Sequence, residues 1–386
     1  MLQADSQEMQ EKALMLLKMH RRALHQIPEL GFEVYKTRQY ILDALQAYAP
    51  DEICTFAGTG IRAVFRCREA KRTIAFRSDM DALPISESNA VPYRSKHDGK
   101  MHACGHDGHI ANLLTLAAWI AENRERIHCN VVLLFEPAEE TTGGAKPMIE
   151  EGVLRDPNVD AIYGMHMMPD VPKGKVAVCA GPIMAQTSEL NFTIKGRAAH
   201  GAYPHLGRDA VCAMAHLIVL LQTIVARTVD PCKEALITIG KIEAGTQRNV
   251  IADCARLEGI CRTFSNEVYD GLEKRIYNAC AAVEQAFDVQ VEFTRGVYYP
   301  CTCNDEKETA RIIALLGDHY TPAIPRMTAE DFSFYQLEVP GVFVFCGCMD
   351  ENHNSPLHSS SFDFDEESLL PGFMLFVRIL QTEAER

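Results

Sequence analysis

Residues 188–295 run strand, helix, strand, strand, helix, strand, while the segments on either side follow another plan. "SELNFTIKG" (188–196) alternates apolar and polar residues, as a strand with one exposed face does, and a long helical period follows from about Arg208 to Arg227. "EALITIGKIEAG" and "CARLEGICRTF" read as two further strands, followed by a helix near 266–286 and by "VQVEFTRG". This is the split βαβ order of ferredoxin-like α+β folds, complete in one stretch. A block that closes its own sheet forces the flanking segments to complete a second domain around it.

Those flanks alternate helices with short apolar strands. Helical periods at 6–27 and 35–48 precede "GIRAVFRC" (60–67) and "RTIAFRSD" (72–79). A helix from about Gly108 to Glu122 leads to "NVVLLFEP" (130–137), a helix near 143–151, and strands near 161–165 and 175–179. After the block come the strand "GVFVFCG" and a closing helix from about Asp365. Continuous apolar strands between helices imply an α/β sheet covered on both faces. At 386 residues the chain exceeds one hydrophobic core. The expectation is a two-domain α/β protein: an α/β domain of 1–184 and 297–386, with a ferredoxin-like α+β domain of 185–296 inserted in it.

A net charge of −14 disfavours a nucleic-acid surface. No stretch of 18 or more apolar residues predicts a membrane span. The first 26 residues mix charges into an amphipathic helical pattern rather than a signal-peptide core, so a cytoplasmic location is expected. The 14 cysteines show no repeating framework and read mainly as small buried thiols; Cys301/Cys303 and Cys346/Cys348 lack the spacing of a zinc ribbon. Cys104 alone stands in a polar setting.

Four segments place ionisable residues where a strand ends, which is where ligands gather in open α/β sheets. They are "RSDMDALP" with Asp79 and Asp81, "EPAEE" with Glu136, Glu139 and Glu140, "GMHMMP" with His166, and "SPLHSSSFDF" with His358. Singly, each has an ordinary reading as a cap, a solvated helix start, a satisfied histidine or a loop residue. Together with "MHACGHDGH" they form the mixed N, O and S set that zinc and related divalent ions take. Cys104, His106, Glu140, His166 and His358 are the expected ligands of two ions, with the Cys104 thiolate able to bridge. Glu139 is then the general base for a metal-activated water, and Asp81 orients a ligating histidine. A Cys104 nucleophile explains fewer of these residues, and a structural zinc site favours a closed Cys/His set.

"HQIPELGFEVYKT", "RSDMDALPI", "MHACGHDGH", "EPAEETTGGAKPMIEEGV", "GMHMMPD", "AAHGAYPHLGRDAV", "NVIADCARLEGICRTF", "MTAEDFSFY" and "PLHSSSFDF" occur in that order. The chain resembles the amidohydrolase branch of the M20 metallopeptidase family, which includes hippurate hydrolases, auxin-conjugate hydrolases and N-acetyl-diaminopimelate deacetylases. The resemblance implies two divalent ions (Zn, Mn, Co or Ni), a homodimer through the inserted domain, and hydrolysis of N-acyl amino acids. It also implies that His200 polarises the scissile carbonyl and that Asn249 and Arg262 hold the substrate carboxylate. A dipeptidase or carboxypeptidase on the same site, and a non-catalytic metal- or ligand-binding homologue, are the alternatives. Glu136 stands where that branch usually has Gln and is expected to add negative charge near the metals; Arg248 replaces an apolar residue. His102, His109 and His205 are expected to be structural residues or to support the ligands from behind.

Overall fold

The computed structural model describes residues 7–383. The chain divides into two compact units, each with its own hydrophobic core. The larger comprises the residues up to Ile183, Cys303–Ile324, and those from Asp331 on. Its helices are α1 (Gln7–His25), α2 (Tyr35–Tyr48), α3 (His106–Asn123), α4 (Ala145–Glu150), α7 (Glu306–Leu316), α8 (Ser333–Glu338) and α9 (Leu370–Thr382). Its strands are β1 (Glu52–Phe56), β2 (Gly60–Phe65), β3 (Thr73–Asp79), β4 (Asn130–Glu136), β5 (Ala161–Pro172), β6 (Val176–Val178), β15 (Tyr320–Pro322) and β16 (Gly341–Met349). They make one sheet in the order β1-β2-β4-β3-β5-β16-β6-β15.

The central strands β4, β3, β5 and β16 are mutually parallel, so their carboxyl ends share one edge. β3 is buried along its whole length, as a strand covered on both faces must be. α3 is buried on nearly every side, which explains why its sequence lacks a polar stripe. Its start is shaped by Gly105, whose φ of 91° lies in the left-handed region. A Cβ there would also meet Cβ of Met167 at 3.2 Å, so glycine lets the loop carrying Cys104 lie directly on β5.

The helical period read at 6–27 is α1, with residue 6 outside the described range. The strand expected near 161–165 is longer: β5 keeps pairing with β16 as far as Pro172, after β3 has ended. His166 therefore stands inside β5, two residues beyond the last β3–β5 pair, Arg77 with Gly164.

The smaller unit is Met184–Thr302 with Pro325–Glu330. β8 (Gln186–Lys195), α5 (Ala210–Thr228), β10 (Ala235–Ala244), β12 (Cys254–Thr263), α6 (Asn266–Phe287) and β13 (Gln290–Tyr299) follow in chain order. The antiparallel sheet order β10-β12-β8-β13 is the ferredoxin-like one. β9 (Ala199–His200) and β11 (Val250–Ile251) form a short ladder; β7 (Gly181–Met184) and β14 (Thr302–Asn304) complete the strands. The partition differs from the expected 185–296 at its second boundary. β13 runs on to Tyr299, and the 325–330 segment joins this unit because Ala185 N–H donates to the carbonyls of Arg326 (2.9 Å) and Thr328 (2.8 Å).

By length and composition α5 is the one helix among the described residues able to cross a membrane. It buries Ala213, Leu217, Leu221 and Ile224, as a core helix of the smaller unit does.

Candidate metal centre

The carboxyl edge of the central sheet gathers the ligand-capable residues. Asp79 and Asp81 follow from β3, Glu139 and Glu140 from the turn after β4, and His166 from β5. His358 lies in the loop beyond β16, its N–H donating to the carbonyl of Ala103 at 2.9 Å. Cys104 precedes α3 and His106 opens it.

Hydrogen bonds fix how each imidazole faces this edge. Nδ1–H of His106 donates to the main-chain carbonyl of Asp81 at 2.8 Å, and Nδ1–H of His166 donates to that of Met167 at 2.7 Å. Both Nε2 lone pairs then point the other way. Nε2 of His166 lies 3.3 Å from Sγ of Cys104. Nε2 of His106 is buried without a hydrogen-bond partner, 3.8 Å from Glu140 Oε1 and 4.0 Å from Glu139 Oε2. Nε2 of His358 is 3.2 Å from Glu140 Oε1.

Asp81 thus reaches His106 through its carbonyl, while its carboxylate accepts from the N–H groups of Glu139 (3.1 Å) and Glu140 (3.2 Å). One aspartate ties the end of β3 to the turn after β4.

Two groups of potential ligand atoms, each within 4.8 Å of one another, share a member: Cys104–His106–His166 and Cys104–Glu140–His358. Cys104 belongs to both, which is the position a bridging thiolate needs. A third group, Asp79–His106–His109, is a poor metal site, because both nitrogens of His109 are already engaged. An orphaned, buried imidazole nitrogen beside a thiol, two further histidines and two carboxylates is a donor set that fits divalent transition-metal ions.

The electrostatics agree. Burial opposes protonation of His106, yet Asp79, Asp81 and Glu140 hold it at about 10, whereas burial and His109 depress His166 to about 3. Burial, with Glu140 and Glu139 beside it, pushes the Cys104 thiol well up. The edge calls for positive charge, and a cation there would draw Cys104 to its thiolate.

Beneath the edge, Arg77 is 1 % exposed and meets three carboxyl groups: Asp79 (Nη1 to Oδ2, 3.0 Å), Glu136 (Nη2 to Oε1, 2.7 Å; Nε to Oε2, 3.2 Å) and Asp331 (Nη2 to Oδ1, 2.7 Å). The other oxygen of Asp331 accepts from the N–H groups of Gly144 and Ala145 at 2.8 and 3.0 Å. Glu136 therefore does not add a free negative charge near the metals. Its carboxyl group is engaged by Arg77, and burial pushes it well above the ordinary carboxyl value.

His200, Asn249 and Arg262 belong to the smaller unit. Val250 of β11 pairs with His200, and Gly201 N–H donates to the carbonyl of Asn249 at 2.7 Å, so the first two are neighbours. Arg262 lies on β12, with Nη1 buried and without a hydrogen-bond partner. Sequence reasoning left out Arg77 and Asp331, although both lie inside the quoted motifs.

The model of peptidase family M20/M25/M40 matches residues 75–382. An N-acetyldiaminopimelate deacetylase of Halalkalibacterium halodurans is 41 % identical over 355 residues, 90 % of this chain and 94 % of its own. The same enzyme from Listeria monocytogenes is 36 % identical, with 94 % and 98 % covered. Among solved structures, a Bacillus subtilis dinuclear metal-binding peptidase of the M20 family is 33 % identical with a TM-score of 0.84, covering 97 % of this chain and 99 % of that one. A protein of methicillin-resistant Staphylococcus aureus, thought to be an aminohydrolase, gives 32 % identity and a TM-score of 0.91, with 97 % of each chain covered. With its ligand-capable residues at the carboxyl edge of the same fold, the chain belongs to peptidase family M20/M25/M40.

Proposed function

We propose that this protein hydrolyses the amide bond of N-acyl amino acids, using two divalent ions held by Cys104, His106, Glu140, His166 and His358. The observation that carries the reading is the place of Glu139: a carboxylate within 4.0 Å of His106 Nε2, next in sequence to a ligand, and buried to 8 % exposure. Binding alone has no use for a base at that point. Zinc, manganese, cobalt or nickel ions would acidify water and polarise the acyl carbonyl.

Glu139 takes the proton from the attacking water and passes it to the departing amine as the new C–O bond forms and the C–N bond breaks. His200 stabilises the negative charge that develops on the carbonyl oxygen. Asn249 and Arg262 hold the carboxylate of the amino-acid part, and the orphaned Nη1 of Arg262 supports that role. The relatives named N-acetyldiaminopimelate deacetylases support an acyl group as small as acetyl.

The inserted unit pairs with that of a second copy. The support is an apolar surface on α5, where Val219 is 64 % and Leu220 38 % exposed. A reducing, cytoplasmic setting suits 14 cysteines that all carry free thiols.

The test is to strip the protein with a chelator, reload it separately with Zn²⁺, Mn²⁺, Co²⁺ or Ni²⁺, and measure amine release from N-acetyl and N-benzoyl amino acids. Metal-dependent release is the expected result. Release from dipeptides alone would move the activity to a dipeptidase, and release from neither would remove the hydrolytic reading.

A further inference from the structure

The last histidine of "MHACGHDGH" has no part in the hydrolysis described, yet its contacts are fully specified. His109 is 1 % exposed, one helical turn after His106 on α3. Its Nε2 accepts from the N–H of Met167 at 2.9 Å. A peptide N–H can only donate, so Nε2 is the unprotonated nitrogen and Nδ1 carries the hydrogen. That hydrogen goes to Oδ1 of Asp79 at 2.7 Å, and the other oxygen of Asp79 is held by Arg77 at 3.0 Å.

Both ends of this arrangement bear on the metal ligands. The Met167 peptide, whose N–H binds His109, offers its carbonyl to Nδ1–H of His166. The His109 ring also packs against both ligand rings, 4.8 Å from His166 in an edge-on contact and 5.4 Å from His106, the three rings forming one triangle. A linked set of contacts runs Arg77, Asp79, His109, Met167 peptide, His166. Every side chain in it is buried, and none of the first four groups is a ligand.

We propose that His109 is a positioning residue of the metal centre: held in one tautomer by Asp79, it fixes the Met167 peptide and so aims Nε2 of His166, while its ring backs His106. The inference rests on the reading of His106 and His166 as ligands. It assigns His109 no contact with the metal or with substrate.

The experiment titrates the chelator-stripped, full-length protein with Co²⁺ and follows visible absorption, comparing wild type with His109→Asn and His109→Gln. Asparagine places its amide near the Nδ1 position and cannot reach Met167, whereas the glutamine carbonyl can fall where Nε2 was. His109→Asn should weaken Co²⁺ binding about ten- to a hundredfold and change the thiolate and ligand-field bands. His109→Gln should recover most of both, and KM at saturating metal should stay within about twofold of wild type in each. Wild-type affinity and spectrum in His109→Asn would overturn the proposal. So would equal losses in both variants that merely track a drop in Tm. Should His109→Asn fail to fold, Asp79→Ala decides: it removes the acceptor that fixes the tautomer, so weakened Co²⁺ binding supports the proposal and wild-type binding overturns it. Failure of the wild type itself to bind Co²⁺ with a thiolate band would overturn the ligand reading and the inference with it.

Discussion

Nη2 of Arg77 donates to Oε1 of Glu136 at 2.7 Å, and neither side chain reaches solvent. The same guanidinium serves Asp79 and Asp331, so one cation neutralises carboxyl groups from the ends of β3 and β4 and from the segment before α8. Arg77→Met would leave those groups buried without a counter-charge and should cost about 3–5 kcal/mol in urea unfolding.

Glu136→Gln tests the same pocket through pH. Burial raises the Glu136 carboxyl above its ordinary value. The folded state therefore holds this proton more tightly than the unfolded one, a contribution fully present below the unfolded pKa and lost as pH rises through the folded pKa. Relative to Glu136→Gln, the wild type should lose stability as pH is raised from the ordinary carboxyl value of 4.5 upward. Parallel urea midpoints for the two proteins across that range would contradict the assignment.

Glu139→Gln should lower kcat about 10²- to 10⁴-fold while metal content, measured by emission spectroscopy, stays at the wild-type value. Cys104→Ala should instead lower the metal content itself, since Cys104 belongs to both ligand groups. Two ions retained in Cys104→Ala would remove the thiol from the centre.

His20 gives a second pH dependence, away from the metal edge. Its two ring nitrogens face the hydroxyl groups of Tyr40 at 2.9 Å and Tyr48 at 3.0 Å. Burial lowers it from 6.5 to about 4. The neutral ring is favoured in the folded state, so its contribution is present above pH 6.5 and is lost as pH falls towards 4. That window is worth about 3 kcal/mol, and the difference in stability between wild type and His20→Gln should shrink by that order across it.

Val219→Lys, on the exposed side of α5, should convert a dimer to a monomer in sedimentation analysis while changing the unfolding free energy of the inserted unit by no more than about 0.5 kcal/mol. A wild type that sediments as a monomer would withdraw the pairing of inserted units.

The strand ends were readable because apolar runs followed at once by ionisable residues leave few other meanings in an α/β chain, as "NVVLLFEP" and "RTIAFRSD" illustrate. β1 was missed: "EICTF" is short and half exposed, and resembles a loop. α7 was missed although Asp305 caps it, its side chain accepting from Lys307 and Glu308 N–H. The ligand-capable residues are legible by their chemistry, whereas Arg77 is not, and His109 is legible only as a supporting histidine without its partners. Their importance lies in partners 30 to 254 positions away, Asp79, Met167 and Asp331, and no local pattern announces such pairings.

The place of β16, between β5 and β6, has a consequence for how the protein is made. The sheet of the larger unit stays open at its β5 edge until residues 341–349 have left the ribosome, because β5 and β6 are neighbours only through that strand. β1, β2, β4, β3 and β5 are contiguous in the sheet and all precede Gln186, so they can pair first, and the β5 edge then stays uncovered while the inserted sheet between Gln186 and Tyr299 is made. His358 emerges later still. During synthesis the larger unit is therefore a five-stranded sheet awaiting its keystone, and the chain reaches that point with every strand of the inserted sheet already made.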